Sequence, residues 1–256
     1  MNKPKQNKNQ NIADLSDFDD EISLWQLIPP GSGRGLTHLK LIVDSYLNNT
    51  NLQRDSPRPR SILIIAPQGA KTYARSFCRA LALEYKVVSA QRLNCIANLL
   101  NFFCPSDSSM AYVVTDIECM SLQFHVFIDQ ILERGEIALY NSRSGDPDYY
   151  PITGHIVMTA GCLHEVPPLL LRICDHVVRS EEFYTHSQLQ LIIAQRLAYC
   201  NFDYENDEVL NEIIGNGKNH LFSIIRRLRV AITYALSKGR SCLTTEDVKR
   251  SESLMP

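Results

Sequence analysis

Lys71 and Thr72 are the two residues in this sequence whose types and position most clearly allow chemistry. They follow an apolar run at 62–65 and a short loop at 66–70. A strand, a small-residue loop, Lys-Thr and then a helix is the arrangement in which backbone amides cradle phosphate groups. In it the lysine adds a positive charge and the threonine supplies a hydroxyl group to Mg²⁺. The pair therefore predicts a nucleotide-binding P-loop, with Lys71 on phosphate and Thr72 on the metal.

The loop departs from the usual Gly-x-x-x-x-Gly-Lys-Thr pattern. Counted without a gap, Ile65 stands at the first glycine and Ala70 at the second. With a one-residue deletion, Pro67 and Gly69 fall into the places they hold in Gly-Pro-Pro-Gly-x-Gly-Lys-Thr, which favours this second register. In both registers Ala70 replaces the glycine before Lys71, and its Cβ could crowd the phosphates or prevent a positive φ. We expect Pro67, Gly69 and Ala70 to line the cofactor; the alternative is an unrelated strand-to-helix turn.

A second candidate segment ends the apolar run 111–114 with Thr115, Asp116, Ile117 and Glu118. In nucleotide hydrolases an aspartate at such a place holds Mg²⁺ and an acidic residue activates the attacking water. Two registers remain open: Asp116 takes the place of the water-activating acid, or Asp116 is the metal aspartate and Glu118 lies one residue late. The register matters because adjacent strand residues face opposite ways. The alternative is a buried strand followed by a solvated acidic turn.

The elements that must position these residues alternate between apolar strands and helices up to residue 178, which predicts a parallel sheet covered on both faces. Beyond residue 184 the pattern is helical only. We therefore expect a disordered tail at 1–20, an α/β nucleotide-binding domain at 21–183 and a helical lid at 184–256. Strands are predicted at 61–65, 86–89, 110–115, 155–159 and 176–178; helices are predicted at 37–47, 72–83, 94–103, 121–134, 169–174, 185–199, 205–214, 219–238 and from 244 onward.

The composition is that of an ordinary soluble protein: 256 residues, 45% hydrophobic and 21% charged. A net charge of −2 gives no global attraction to DNA. No apolar run reaches the ~18–20 residues of a membrane helix, and the polar residues 1–11 do not suggest a secretory signal, so we expect a cytoplasmic protein. The eight cysteines show no Cys/His spacing typical of a metal site, and we expect reduced thiols placed mostly in the core.

From about residue 58 to 252 the chain resembles the AAA+ ATPases, and most closely the RuvB family of Holliday-junction branch-migration motors. The resemblance rests on the P-loop and Asp116 segments and on Gln-Ile-Leu-Glu-Arg-Gly-Glu at 130–136. It continues through a polar excursion at 141–150, a strand at 155–160 and the Pro-Pro-Leu-Leu-Leu-Arg segment that ends at Arg172. It implies a P-loop NTPase sheet followed by a small helical lid.

Several roles follow only from this resemblance. In the family the strand matching 155–160 carries a polar sensor, for which Thr159 is the nearest match, and Arg172 matches the arginine finger that reaches a neighbouring subunit's nucleotide. The excursion at 141–150 matches a hairpin that suggests partner contact. The family's second-sensor arginine has no counterpart, and Lys218 stands near its place. RuvB proteins also carry a C-terminal winged helix, which has no counterpart before Pro256.

Two functions are therefore expected. The first is a RuvB-like ATPase or helicase subunit of DNA recombination, repair or replication that binds ATP or ADP with Mg²⁺, assembles with itself on DNA and hydrolyses poorly. Its catalytic residues would be Asp116, Glu118, Thr159 and Arg172. The alternative is a non-catalytic AAA+ scaffold or regulator that docks on another replication or recombination protein. The segment 112–119 also resembles Hda, a DnaA-related regulator. Neither function involves a membrane.

Overall fold

The computed structural model describes residues 34–48, 60–140, 145–180, 184–215 and 221–253. The predicted tail at 1–20 lies outside these residues. The described residues up to position 180 form one compact unit, and those from position 184 onward form another.

A five-stranded parallel sheet is the centre of the first unit. Its strands run in the order β2-β3-β6-β1-β7, so β6 lies between β3 and β1. Strands β1, β3 and β6 are buried along nearly their whole length, as a parallel sheet covered on both faces requires. The predicted parallel sheet and its edge strand β7 are confirmed. The strands are β1 (Arg60–Ile65), β2 (Glu84–Ser89), β3 (Met110–Thr115), β4 (Glu136–Tyr140), β5 (Pro147–Pro151), β6 (His155–Ala160) and β7 (His176–Arg179).

Helices surround this sheet and bury its apolar residues. Phe103 and Tyr112 are fully buried, with ring centroids 5.3 Å apart. The Tyr112 hydroxyl accepts a hydrogen bond from the Asp107 amide at 3.1 Å, which satisfies the polar end of a buried ring. Burial of each such side chain stabilises the fold by about 1.5–3 kcal/mol. The helices are α1 (Arg34–Asn48), α2 (Ala70–Ala80), α3 (Ile96–Phe103), α4 (Leu122–Arg134) and α5 (Pro168–Ile173).

The polar excursion is flanked by a two-stranded antiparallel hairpin of β4 and β5, which lies outside the main sheet. Within the hairpin, the Ile137 side chain is buried, whereas the Tyr140 and Tyr149 side chains are 77% and 58% exposed. Residues 141–144 lie outside the described part of the chain. The resemblance implies a hairpin at 141–150, and the structure has one whose strands are 136–140 and 147–151. The residue pattern alone does not predict these strands, because each is short and mixes apolar with polar residues.

The second unit is helical, as its periodicity predicts. A capping box begins α6, in which Thr185 and Gln188 bond each other's backbone amides, and a second begins α9 between Thr244 and Asp247. Both helices begin within a residue of their predicted starts at 185 and 244. An unpredicted pair of two-residue strands joins the loops before α7 and α9. The elements are α6 (His186–Tyr199), β8 (Asp203–Tyr204), α7 (Asp207–Ile214), α8 (Leu221–Ser237), β9 (Cys242–Leu243) and α9 (Thr245–Glu252).

Arg227, in the basic run of α8, helps to hold the second unit together. Its Nη1 donates to the Ile214 carbonyl at 3.3 Å, at the C-terminus of α7, and its Nε lies 3.7 Å from Glu252. A cation at a helix C-terminus is favourable because unpaired carbonyls carry partial negative charge there. Arg227 is therefore a structural residue of this unit.

Candidate functional site

The predicted phosphate loop lies between β1 and α2 and opens the first turn of that helix. Gly69 has φ 78° and ψ 5° and caps α2. The Tyr73 amide makes the first backbone hydrogen bond of the helix, to the Gly69 carbonyl at 2.9 Å. The amides of Ala70, Lys71 and Thr72 therefore precede the hydrogen-bonded ladder and have no helical carbonyl to bind. They form a row of donors at the positive end of a helix of eleven residues.

The conformation of Gly69 answers one question that the sequence leaves open. The left-handed residue of the loop is Gly69, whereas Ala70 is the first residue of α2 and does not have a positive φ. The alanine therefore does not strain the backbone, and the glycine that the turn requires is present. This favours the register with a one-residue deletion. Pro67 is exposed at the tip of the loop.

Lys71 and Asp116 meet across the carboxyl edge of the sheet. The Lys71 Nζ lies 2.8 Å from the Asp116 Oδ2, and the two side chains are 56% and 33% exposed. Asp116 follows β3 directly, and the Thr115 hydroxyl donates to the same Oδ2 at 3.1 Å. The loop after β1 and the end of β3 thus face each other over the intervening strand β6. Asp116 is the acidic residue beside the lysine, which favours the register in which it is the metal aspartate.

Thr159 positions the backbone of Asp116. Asp116 has φ 58°, a left-handed conformation that is uncommon outside glycine and that aspartate adopts more readily than most residues. Its amide donates to the Thr159 hydroxyl at 3.3 Å. Thr159 itself is 1% exposed, on β6. Its hydroxyl group is therefore engaged with the protein rather than directed to solvent.

Glu118 faces a different neighbour from Asp116. It lies in the 3-10 turn Ile117–Cys119, and its Oε1 accepts the Gly161 amide at 2.8 Å. Its Oε2 is shielded from solvent and receives no hydrogen bond from the described residues. Glu118 is therefore tied to the end of β6, one residue beyond the sheet.

Arg172 lies apart from this group. The Arg172 side chain is exposed on α5 and has no hydrogen bond or ion pair among the residues that the structure describes. Lys218 falls within 216–220, outside the described residues. The structure therefore brings together Lys71, Asp116 and Thr159, with Gly69, Ala70 and Thr72 at the start of α2. Glu118 bonds the Gly161 amide instead, and Arg172 lies on the surface.

An open depression of about 510 Å³ lies between α1 and β7. The Ser180 amide, just after β7, donates to the Ile65 carbonyl at 2.7 Å, which ties this region to the start of the loop. A Cβ on Gly35 would come within 1.5 Å of the Arg179 carbonyl oxygen, so only glycine allows α1 to approach β7 this closely. Residues lining the depression include Gly35, His38, Val177 and Arg179.

The predictions about cysteine agree with the structure only in part. All eight thiols are free, as expected. Cys78 is buried, and Cys104 and Cys174 are partly buried against the core, whereas Cys95 and Cys119 are exposed. Burial raises the pKa of Cys78 to about 12, so this thiol is an inert core group. The expected lack of a metal-type cluster also fails, because Cys162, His164 and Glu165 place their ligand atoms within 4.8 Å of one another. The spacing of these three residues in the sequence could have indicated a metal site, but it brings the ligand atoms together only because residues 163–165 form a tight turn.

No family model matches the sequence, and no curated protein matches it. None of the helices within the described ranges is long and apolar enough to cross a membrane. Solved structures do match. One is the Thermotoga maritima RuvB Holliday junction branch migration motor, with a TM-score of 0.72 and 13% identity over 93% of this chain and 73% of that one. A point mutant of Thermotoga maritima RuvB gives a TM-score of 0.72 and 14% identity over 91% and 72% of the two chains. A second point mutant gives 0.70 and 14% over 93% and 73%. Together with the sheet order and the loop before α2, these matches show that the chain has the AAA+ P-loop NTPase fold found in RuvB.

Proposed function

We propose that this chain binds ATP or ADP with Mg²⁺ at the loop before α2, as a RuvB-like AAA+ protein of DNA recombination, repair or replication, and that it hydrolyses ATP poorly. The observation that carries the proposal is the contact of 2.8 Å between Lys71 and Asp116 beside the open helix amides. A cation, an acid and unpaired amides at one sheet edge are the groups that a nucleotide phosphate and its metal require.

The residues present fit both groups. The amides of residues 70–72 and Lys71 can hold phosphate oxygens. Mg²⁺ prefers oxygen ligands and is usually bound through one or two protein groups together with phosphates and water. Thr72, in the first turn of α2, and Asp116 are the oxygen-bearing side chains that would hold it, and the bound ion would neutralise charge that develops on the phosphates.

Lys71 must exchange partners for this to happen. In the structure it contacts Asp116, and nucleotide binding would move its Nζ to phosphate and release the aspartate to the metal side. Both side chains are partly exposed, and a solvated ion pair contributes only about 0–1 kcal/mol. The exchange therefore costs little compared with the charge-assisted bonds that phosphate offers.

The proposal of poor hydrolysis rests on Glu118 and on the lid. A general base must reach the attacking water, but one Glu118 oxygen is held by the Gly161 amide and the other is buried. In the sequence, Lys218 stands near the position of the family's arginine, and a lysine cannot copy the planar fork of that residue. Arg172, exposed on α5, is free to act on a neighbouring copy, which supports self-assembly as part of the proposal.

The alternative function is a non-catalytic scaffold that acts through another replication or recombination protein. The exposed Tyr140 and Tyr149 on the β4–β5 hairpin favour it, because aromatic side chains are enriched in protein interfaces.

One experiment separates the two functions. Purified protein is titrated with a fluorescent ATP analogue, with and without Mg²⁺, and ATP turnover is then measured with and without DNA. We expect binding that Lys71→Ala abolishes and Lys249→Ala, at an exposed lysine of α9, leaves intact. Slow turnover that Arg172→Ala removes supports the ATPase, and binding without turnover supports the scaffold. No binding at millimolar nucleotide would overturn both nucleotide-dependent versions.

A further inference from the structure

Three potential metal ligands converge in the turn that links β6 to α5. The Cys162 thiol donates to the Glu165 Oε2, with 3.1 Å between sulfur and oxygen. The Cys162 Sγ lies 4.0 Å from the His164 Nε2, and that nitrogen lies 3.8 Å from the Glu165 Oε1. The 3-10 turn Leu163–Glu165 brings the three side chains to one side of the backbone. No described residue outside this turn is needed to assemble the group.

Zinc bonds of ~2.3 Å to sulfur and ~2.0–2.2 Å to nitrogen or oxygen, at tetrahedral angles, separate the ligand atoms by about 3.4–3.6 Å. Here the sulfur contacts Oε2 and the imidazole nitrogen contacts Oε1, so the two short contacts use different oxygens of the Glu165 carboxylate. With one ligand atom from each residue, the three atoms lie within 4.8 Å of one another, which is at most about 1.4 Å wider than in a zinc site. The His164 and Glu165 side chains are 81% and 50% exposed, so they can rotate to close the difference without disturbing the core.

We propose that Cys162, His164 and Glu165 bind Zn²⁺, or a divalent ion of similar softness, at a surface site with an open coordination position. A thiolate and an imidazole select such ions over Mg²⁺, which prefers oxygen ligands only. The site is therefore chemically distinct from the pair Thr72 and Asp116, and it does not depend on nucleotide binding. Three protein ligands leave room for a water molecule or a partner's side chain as the fourth ligand.

Binding replaces the thiol proton by the metal. The hydrogen bond to Glu165 raises the pKa of the Cys162 thiol, and the nearby Glu118 carboxylate acts in the same direction. Zn²⁺ forms a bond to the sulfur while the S–H bond breaks, and the proton leaves to solvent. Two carboxylates that hold the thiol protonated also favour a cation once it arrives, because the same negative charge attracts it.

The first test is protection of the thiol from alkylation. The full chain is treated with iodoacetamide, with and without equimolar Zn²⁺, and labelling of each cysteine is followed by mass spectrometry. Because a coordinated thiolate is not free to attack, we expect Zn²⁺ to slow labelling of Cys162 by about tenfold or more. Cys95, exposed at the start of α3, is the internal control and should label at an unchanged rate. Equal labelling of Cys162 in both samples would overturn the proposal.

The second test asks whether the histidine is a ligand. Co²⁺ bound to the site should give the charge-transfer absorption of a cobalt thiolate, and titration of that band measures affinity. His164→Ala keeps the thiol but should weaken binding by at least about tenfold, since even changes behind the direct ligands cost that much. His186→Ala, at an exposed histidine of α6, is the matched control. A band that His164→Ala leaves unchanged would contradict the site. Circular dichroism of each variant checks that it is folded.

Discussion

Replacement of Thr159 by valine tests whether this residue acts by holding Asp116. Valine has nearly the same shape as threonine, so the substitution removes the hydroxyl acceptor of the Asp116 amide and little else. The bond measures 3.3 Å and Asp116 is partly exposed, so we expect the lower end of the ~1–3 kcal/mol that an unsatisfied group costs. The left-handed conformation of Asp116 itself costs ~1–3 kcal/mol, and the bond to the Thr159 hydroxyl is one of the contacts that hold the residue in it. The variant should therefore lose about 1–2 kcal/mol of unfolding free energy.

The assays are urea unfolding and thermal melting, both followed by circular dichroism, and titration of the fluorescent ATP analogue. At ~2–4 °C per kcal/mol for a chain of this size, the melting temperature should fall by several degrees. Affinity for the analogue should fall as well, because Asp116 no longer has a fixed position opposite Lys71. Thr233→Val is the control, since that hydroxyl is exposed on α8 and bonds only the carbonyl four residues earlier. It should change stability by less than about 0.5 kcal/mol.

Two outcomes would refute this reasoning. Unchanged stability and affinity would mean that the Thr159 hydroxyl does not hold Asp116. A loss of turnover alone, at normal stability and affinity, would mean that Thr159 acts directly on the phosphate, as the family resemblance implies.

Three further predictions concern the loop, the helical unit and the response to acid. Lys71→Ala should weaken the analogue's affinity by at least about tenfold while changing stability by less than about 1 kcal/mol, because its ion pair is solvated; equal loss in Lys249→Ala would contradict this. Asp247→Ala should destabilise the second unit by about 3 kcal/mol, since Asp247 is fully buried, pairs with Arg240 and caps α9. Urea unfolding measures this loss, and a loss below the ~0.5 kcal/mol of an ordinary surface substitution would argue against it. Burial first, and then the charge of Arg60, lowers the pKa of His155 to about 4. Between pH ~6.5 and ~4 the unfolded chain therefore holds a proton on this histidine that the folded chain does not. The free energy of unfolding should decrease by up to about 3 kcal/mol as the pH is lowered through that range. In His155→Asn this part of the pH dependence should vanish, and an unchanged pH profile would be the contrary result.

Much of the fold follows from the sequence because continuous apolar runs permit few arrangements. The predicted limits of β3, 110–115, agree with the structure, and the capping boxes fix the starts of α6 and α9. The helix α2 begins at Ala70, two residues before the predicted start, because Gly69 takes the left-handed conformation and caps it. The strands β8 and β9 have two residues each, too few for any periodicity to show.

The candidate site, too, could be predicted from the sequence only in part. The meeting of Lys71 with Asp116 could be expected, since both follow parallel strands whose carboxyl ends share one edge. The bond between Glu118 and Gly161 could not, because it joins residues 43 positions apart through the local path of two loops. The register of Asp116 likewise depends on its left-handed φ, which no sequence pattern states.

Strand β6 lies in the middle of the sheet edge that carries the candidate site. It separates the two strands that carry Lys71 and Asp116, its Thr159 hydroxyl receives one backbone amide, and Gly161, just past its end, donates to Glu118. The same chain continues within a few residues into the helix that exposes Arg172. Only the twelve residues 160–171 therefore separate Thr159, which holds the backbone of Asp116, from Arg172 on the exposed side of α5, so the backbone of the site and that surface are covalently close.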